Sequence, residues 1–232
     1  KNMRVVNLMN ALGDAVKEEE VKEGMQAEEH EHEHEHGEEA KGHDHEHEHE
    51  HGEAEKDEHV WLSVRNAKVC SKAIADALSK ADSKNADEYK KSLNAYSEKL
   101  DELDKKYEKT VKAASTKTLV FGDRFPFRYM VSDYGLDYYA AFIGCSAETE
   151  ASFSTIQFLS NKVNELGIKH VMTIEKSDEK IAKTIIKNTK AKNQDILMLD
   201  SMQSTTAGDV KDGATYIKIM EKNLDVLKKA LN

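Results

Sequence analysis

Lys117-Thr118-Leu119-Val120-Phe121-Gly122-Asp123-Arg124 is a short apolar run that stops at a glycine and a charged pair. Its length and its β-branched and aromatic content predict a buried strand over 117–121. Three more runs follow: Tyr138-Tyr139-Ala140-Ala141-Phe142-Ile143, His170-Val171-Met172-Thr173-Ile174 and Ile196-Leu197-Met198-Leu199. Helical spacing fills the gaps. Phe125 to Tyr134 reads as a short helix entered through Pro126, the only proline. Ile156, Leu159, Val163 and Leu166 mark a helix closing at Gly167. Ile181 and Ile185 share a face on another, and Tyr216, Met220, Leu224, Leu227 and Leu231 on a last one. Strands separated by helices predict an α/β fold, a parallel sheet with helices on both faces, over residues 117–232.

Upstream of the first strand the periodicity changes. Ala67, Cys70, Ile74, Ala77, Leu78 and Ala81 recur at helical spacing, and Asp82-Ser83-Lys84-Asn85 breaks that helix. Asn85 followed by Glu88 has the form of a capping box. Ala86, Tyr89, Leu93, Tyr96, Leu100, Leu103, Tyr107 and Val111 then step by threes and fours, predicting one helix of about thirty residues, roughly 45 Å long. A helix of that length suits a coiled coil or a link between two lobes.

Between Glu28 and Glu58 the texture changes again. Glu31-His32-Glu33-His34-Glu35-His36 and His43-Asp44-His45-Glu46-His47-Glu48-His49-Glu50-His51 alternate acid and imidazole, and nine of the eleven histidines lie here. Imidazole suits borderline transition metals, and carboxylates add charge and oxygen donors. Such a segment buries no apolar surface, so a disordered, solvated loop is expected. Its many equivalent donors predict low-affinity collection of Zn(II) or a similar ion by His30, His32, His34, His36, His43, His45, His47, His49 and His51. An expression tag is a poorer reading, because the run is internal and interrupted by acids.

Charge follows the same division. The 232-residue chain carries −10, yet residues 28–58 alone hold 15 acids and two lysines, and the remainder is +3. Nothing suggests a basic nucleic-acid surface, and acidity confined to the tract points to cations. No apolar run is long enough to span a membrane. Residues 1–9 read as a short strand and 10–27 as an acidic connection, and no signal segment is expected within the chain. Cys70 and Cys145 lack CxxC spacing. Two buried, unpaired thiols are expected, with a disulfide left open by the sequence.

Ligands of an open α/β sheet lie beyond the carboxyl ends of its strands. There the sequence places Asp123, then Glu148 and Glu150, then Glu175, then Asp200, with His59 just after the tract as the nearby imidazole. A histidine among carboxylates suits Zn(II) or Mn(II). Acids after strands also serve as helix caps, which is the competing reading for Glu148, Glu150 and Glu175. His170 opens a strand and reads as structural, and Arg124 and Arg128 as partners of nearby acids. No nucleophile elbow, phosphate loop or HExxH motif is present, so catalysis is not expected.

An acidic His-rich loop followed by Asp57-Glu58-His59-Val60-Trp61-Leu62 and a helix near Asn66-Ala67 resembles the zinc and manganese ABC-transporter solute-binding proteins. Their usual wording there is Asp-Pro-His-x-Trp-Leu, with the histidine on the metal. Val120-Phe121-Gly122-Asp123, Tyr134-Gly135-Leu136, Ile174-Glu175, Leu199-Asp200-Ser201 and Gly213-Ala214-Thr215-Tyr216-Ile217-Lys218-Ile219-Met220-Glu221-Lys222-Asn223-Leu224 resemble later family segments. Asp123 matches with one extra residue before Tyr134. The resemblance implies specific binding of Zn(II), or Mn(II), by His59, Asp123 and Asp200, with Glu175, water or an amino-terminal lobe in the fourth position. It further implies an extracytoplasmic protein, periplasmic or lipid-anchored, probing no nucleic acid and delivering its ion as a monomer to the membrane permease of an ABC importer. Residues 1–27 then read as a remnant of the amino-terminal lobe, 28–58 as the metal-binding loop, 59–116 as helices including the linker, and 117–232 as the carboxyl-terminal lobe. The alternative is a metal buffer or chaperone in which the tract itself is the working part.

Overall fold

The computed structural model describes residues 3–26, 55–147 and 149–232. Residues 28–54 of the expected collecting loop, with its nine histidines, and Glu148 lie outside the described residues; the loop's last four residues, 55–58, are not the solvated loop expected, because Lys56 pairs with Glu18 and Asp57 is buried. Four strands form one parallel sheet: β1 (Thr118–Phe125), β2 (Asp137–Ile143), β3 (His170–Ile174) and β4 (Asp195–Leu199), in the order β2-β1-β3-β4. Around them run α1 (Leu8–Leu12), α2 (Val64–Ala81), α3 (Ala86–Lys112), α4 (Arg128–Tyr134), α5 (Phe153–Glu165), α6 (Lys180–Asn188), α7 (Ala207–Lys211) and α8 (Tyr216–Ala230).

Alternation along the strands assigns the layers. Leu119, Phe121, Met172 and Ile174 join the larger core with Leu103 and Tyr107 of α3, Met130 of α4 and Leu227 of α8. Val120 and Val171 point the other way, onto Ile156 and Leu159 of α5 and Ala182 and Ile185 of α6. Successive residues of a strand face opposite sides, so runs buried on both must be apolar throughout. The expected parallel sheet with helices on both faces is what forms.

The long helix α3 has 27 residues, about 40 Å at 1.5 Å per residue. Its end is tied to the lobe: Tyr107 is fully buried and its hydroxyl donates to the Met220 carbonyl at 2.7 Å. Burial pushes the Tyr107 phenol well above its ordinary range. The capping box expected at Asn85 does not form. Asn85 makes no side-chain cap, and its amide donates instead to Asp82 Oδ2 at 2.7 Å. The charged Asp82 acceptor fixes the orientation of the whole side chain through its Nδ2, and Oδ1 makes no bond to the first turn of α3.

Other boundaries shift for local reasons. Residues 3–7 carry no strand, and α1 begins at Leu8, capped by Asn7. Strand β1 continues through Phe125, with a register irregularity between Phe121 and Arg124, and α4 starts only at Arg128. Pairing with β2 overrides the helix start suggested by Pro126. Helix α5 starts at Phe153 under a Ser152 cap, so Glu150 is not its cap. Cys145 is exposed rather than buried, because it sits in the turn after β2, whereas Cys70 is buried in α2 as expected; both are free.

The segments flanking the tract are fastened together. Glu18 and Lys56 form an antiparallel bridge, Glu19 N donates to Glu55 O at 2.8 Å, and Asp57 N donates to Lys17 O at 2.9 Å. Tyr129 of α4 joins both sides, donating its hydroxyl to Asp57 O at 2.6 Å while accepting from Lys17 N at 3.0 Å.

Candidate metal centre

His59 follows that fastened neck and caps a single 3-10 turn, Val60–Leu62, ahead of α2. The turn is held from below by Trp61, whose Nε1 donates to Ser201 O at 2.9 Å, and by Tyr216, whose hydroxyl donates to Trp61 O at 2.8 Å. His59 is fully buried and Asp57 nearly so. One carboxylate oxygen, Asp57 Oδ1, accepts from His59 N at 2.8 Å and faces His59 Nδ1 at 3.0 Å. An ionised carboxylate only accepts, so Nδ1 carries a proton, and in the neutral ring Nε2 presents its lone pair. This is the arrangement by which a carboxylate orients a metal-binding imidazole. Gly144 leaves room for the ring: a Cβ there would lie 2.9 Å from His59 Cε1.

The lone pair of Nε2 meets the loop after β4. Gln203 Nε2 stands 2.5 Å from it. That loop is shaped by two of the expected ligands. Glu175 Oε2 accepts from Ser201 N at 2.7 Å, and Glu175 Oε1 accepts from Ser201 Oγ at 2.8 Å and Ser204 N at 3.3 Å. Asp200 Oδ1 accepts from Met202 N at 2.8 Å, and Asn223 clasps the Asp200 backbone from both sides at 2.9 and 2.8 Å. Burial, and then the nearby Glu175 charge, push the Asp200 carboxyl above its ordinary range.

Asp123 sits at the irregular point of β1. Its Oδ1 accepts from Arg124 N at 2.9 Å and its Oδ2 from Ile174 N at 3.4 Å. It lines a cleft of 310 Å³ with Arg124, Lys176 and Asp178 at the carboxyl end of the sheet. His59, Asp200 and Glu175 therefore gather around one loop, with Asp123 beside Ile174 on the next strand. Among the described residues, none of these four belongs to a group of three potential ligands with donor atoms within 4.8 Å of one another. The group that meets this spacing is Glu19, Glu58 and Cys145, at the neck of the tract. Although the residue is exposed, partial desolvation of its sulfur, then hydrogen bonds to Glu58 and Glu19, push the Cys145 thiol far up, and desolvation raises Glu19.

The competing readings resolve residue by residue. Glu175 contacts the 201–204 loop, not Lys176 or the following helix. Glu150 is an exposed bend residue. His170 opens β3 at the opposite, amino end of the sheet. Arg128 pairs with Glu20, whereas Arg124 donates to the Ser146 carbonyl at 3.4 Å. Sequence reasoning missed Asp57 as the partner of His59, Gln203 as its neighbour, and Cys145 as a potential donor. Only Asp57 had a visible signal, its place two residues before the histidine.

A family model described as zinc-uptake complex component A, periplasmic (ZnuA), matches residues 3–230. The zinc-binding protein AdcA of Streptococcus pyogenes serotype M6 is 35% identical over 172 residues, 74% of this chain and 32% of that protein. The high-affinity zinc uptake system protein ZnuA of Bacillus subtilis is 33% identical over 175 residues, 75% of this chain and 53% of its own length. The chain thus spans about a third to a half of these curated relatives. The crystal structure of the Zn(II)-bound ZnuA-like domain of Streptococcus pneumoniae AdcA superposes with a TM-score of 0.62 at 33% identity, covering 75% of this chain and 64% of that one.

Proposed function

Since the chain belongs to the ZnuA family of zinc-uptake complex component A, we propose that it captures Zn(II) outside the cytoplasm and delivers it to the membrane permease of an ABC importer. One observation carries the reading: a fully buried imidazole whose tautomer is fixed by Asp57, with Nε2 turned towards the carboxyl end of the sheet. In this proposal His59 is the principal donor. Asp123 and Asp200 supply oxygen, and Glu175 is the reserve fourth ligand. Asp200 and Glu175 each already accept hydrogen bonds from the 201–204 loop, which fixes where their remaining lone pairs can point. The nine tract histidines collect ions at low affinity and raise their concentration near the neck. Imidazole favours zinc over manganese, while two carboxylates leave Mn(II) as a competitor. Residues 28–58 act as the collecting loop, 59–116 as the helical link and 117–232 as the metal-binding lobe. The work is binding and transfer by a monomer at the outer face of the membrane, and no reaction is catalysed.

The buffer reading has one observation in its favour, the Glu19–Glu58–Cys145 group at the neck of the tract. Zinc titration by calorimetry separates the two. It is run on the chain, on a chain with 28–54 replaced by a short linker, and on His59→Ala. Delivery predicts a tight phase that survives the deletion. His59→Ala should weaken that phase by more than about a hundredfold, since loss of an orienting partner alone costs about 10–100-fold. A tight phase that vanishes with the tract and ignores His59→Ala establishes the buffer instead.

A further inference from the structure

We propose that Gln203 is a latch on His59: its side-chain amide occupies the Nε2 lone pair in the metal-free chain and must withdraw before an ion binds there. The inference rests on the reading of His59 as the ion's donor. Its geometry is independent of that reading. Asp57 Oδ1 holds both His59 N and Nδ1, so in the neutral ring Nε2 is the acceptor. The group facing it at 2.5 Å is an amide nitrogen, which can only donate. A lone pair serves one hydrogen bond or one metal bond, so latch and ion exclude one another.

The loop is built to aim this side chain. Its backbone is pinned by Glu175 at Ser201 and Ser204, by Asp200 at Met202, and by Trp61 at the Ser201 carbonyl. Met202, immediately before Gln203, is held at a φ of 63°, a left-handed conformation that costs a non-glycine residue energy and persists only where neighbours impose it. Gln203 itself is exposed, unlike His59. Its side chain can therefore turn into water without moving the pinned backbone. The fraction of molecules with the latch closed lowers the apparent affinity by that fraction.

Two measurements test this on the full chain. The first is zinc competition against a chromophoric chelator, reading the tightest site. Gln203→Ala should tighten that site about two- to tenfold, the worth of one net hydrogen bond. In a His59→Ala background the same change should do nothing. The second is imidazole 15N NMR of the metal-free chain, with the His59 resonances identified by their loss in His59→Ala. Gln203→Ala should move Nε2 towards the position of a free acceptor. Because Gln203 is otherwise exposed, the variant's melting temperature should fall by no more than the loss of this one hydrogen bond accounts for.

Weaker zinc binding in Gln203→Ala would make the side chain a ligand and overturn the latch. An unchanged affinity, or an unmoved Nε2 resonance, overturns it too. If His59→Ala leaves the tightest site untouched, the reading of the site fails and the latch with it. An effect of His59→Ala without one of Gln203→Ala removes the latch alone.

Discussion

At the scale of single residues, the site depends on what holds each donor. Asp57→Asn keeps the size of the side chain but presents an amide where a carboxylate fixed the tautomer of His59. The expected result is a loss of about 10–100-fold in tight zinc affinity, read by chelator competition, with little change in the tract's weak phase. Cys145 makes a different prediction. Partial desolvation and the two carboxylates push its thiol upward, so less of it is thiolate at any ordinary pH. An unperturbed thiol titrates at about 8.5 and its alkylation rate levels off beyond that. The rate of exposed Cys145 should be about tenfold or more below such a thiol at pH 8 and still climb beyond pH 9, followed by mass spectrometry of iodoacetamide adducts. Glu58→Gln should speed it at pH 8. A rate that levels off near pH 8.5 in the parent would refute the assignment. The positions of the candidate donors relative to the sheet were legible in the sequence, because His59 sits in a recognisable segment and acids follow each strand. The occupation of those acids was not. The partners of Glu175 are 26 and 29 positions away, and Gln203 has no charge or metal-binding preference to single it out.

At the scale of elements, close approach decides the packing. Gly122 brings β1 against α6, where an added Cβ would stand 2.5 Å from the Ala182 Cα. Backbone cannot swing aside as a side-chain tip can, so Gly122→Ala should cost about 1–3 kcal/mol. The urea midpoint is the readout, and an unshifted midpoint would show that α6 yields freely. Gly144→Ala presses on the His59 ring and on Phe125 O instead, so it should weaken zinc binding along with stability. The four strands and most helices could be read from the sequence because their apolar runs and helical repeats are local. The errors fall where tertiary pairing wins. Strand β1 extends through Gly122-Asp123-Arg124-Phe125 because β2 pairs again with Arg124 and Phe125 beyond the irregularity, and the side-chain amide of Asn85 bonds Asp82 rather than capping α3. Strand order β2-β1-β3-β4 depends on which neighbours meet after crossover, information that no single run contains.

At the scale of the whole molecule, charge is segregated, and segregation has kinetic consequences. Residues 28–54 hold 12 acids and one lysine; without them the chain changes from −10 to +1. The described flanks 17–19 and 55–57 pair with one another, so this charge is attached at the neck that leads directly to His59. A concentrated negative field raises the local density of a divalent cation and speeds its encounter with the protein, by about 10–10³-fold where steering is strong. Salt shortens the reach of that field, from a Debye length of about 30 Å at 0.01 M to about 10 Å at 0.1 M. Stopped-flow association of Zn(II) with the chain should therefore slow steeply, about tenfold or more, between those two ionic strengths. In the chain with 28–54 replaced by a neutral linker the rate should be low and nearly indifferent to salt, while the tight equilibrium affinity falls by no more than the rate does. Equal salt dependence in the two chains would place the steering field in the fold. A tight affinity that falls much further than the rate would mean that the tract supplies ligands to the site rather than ions.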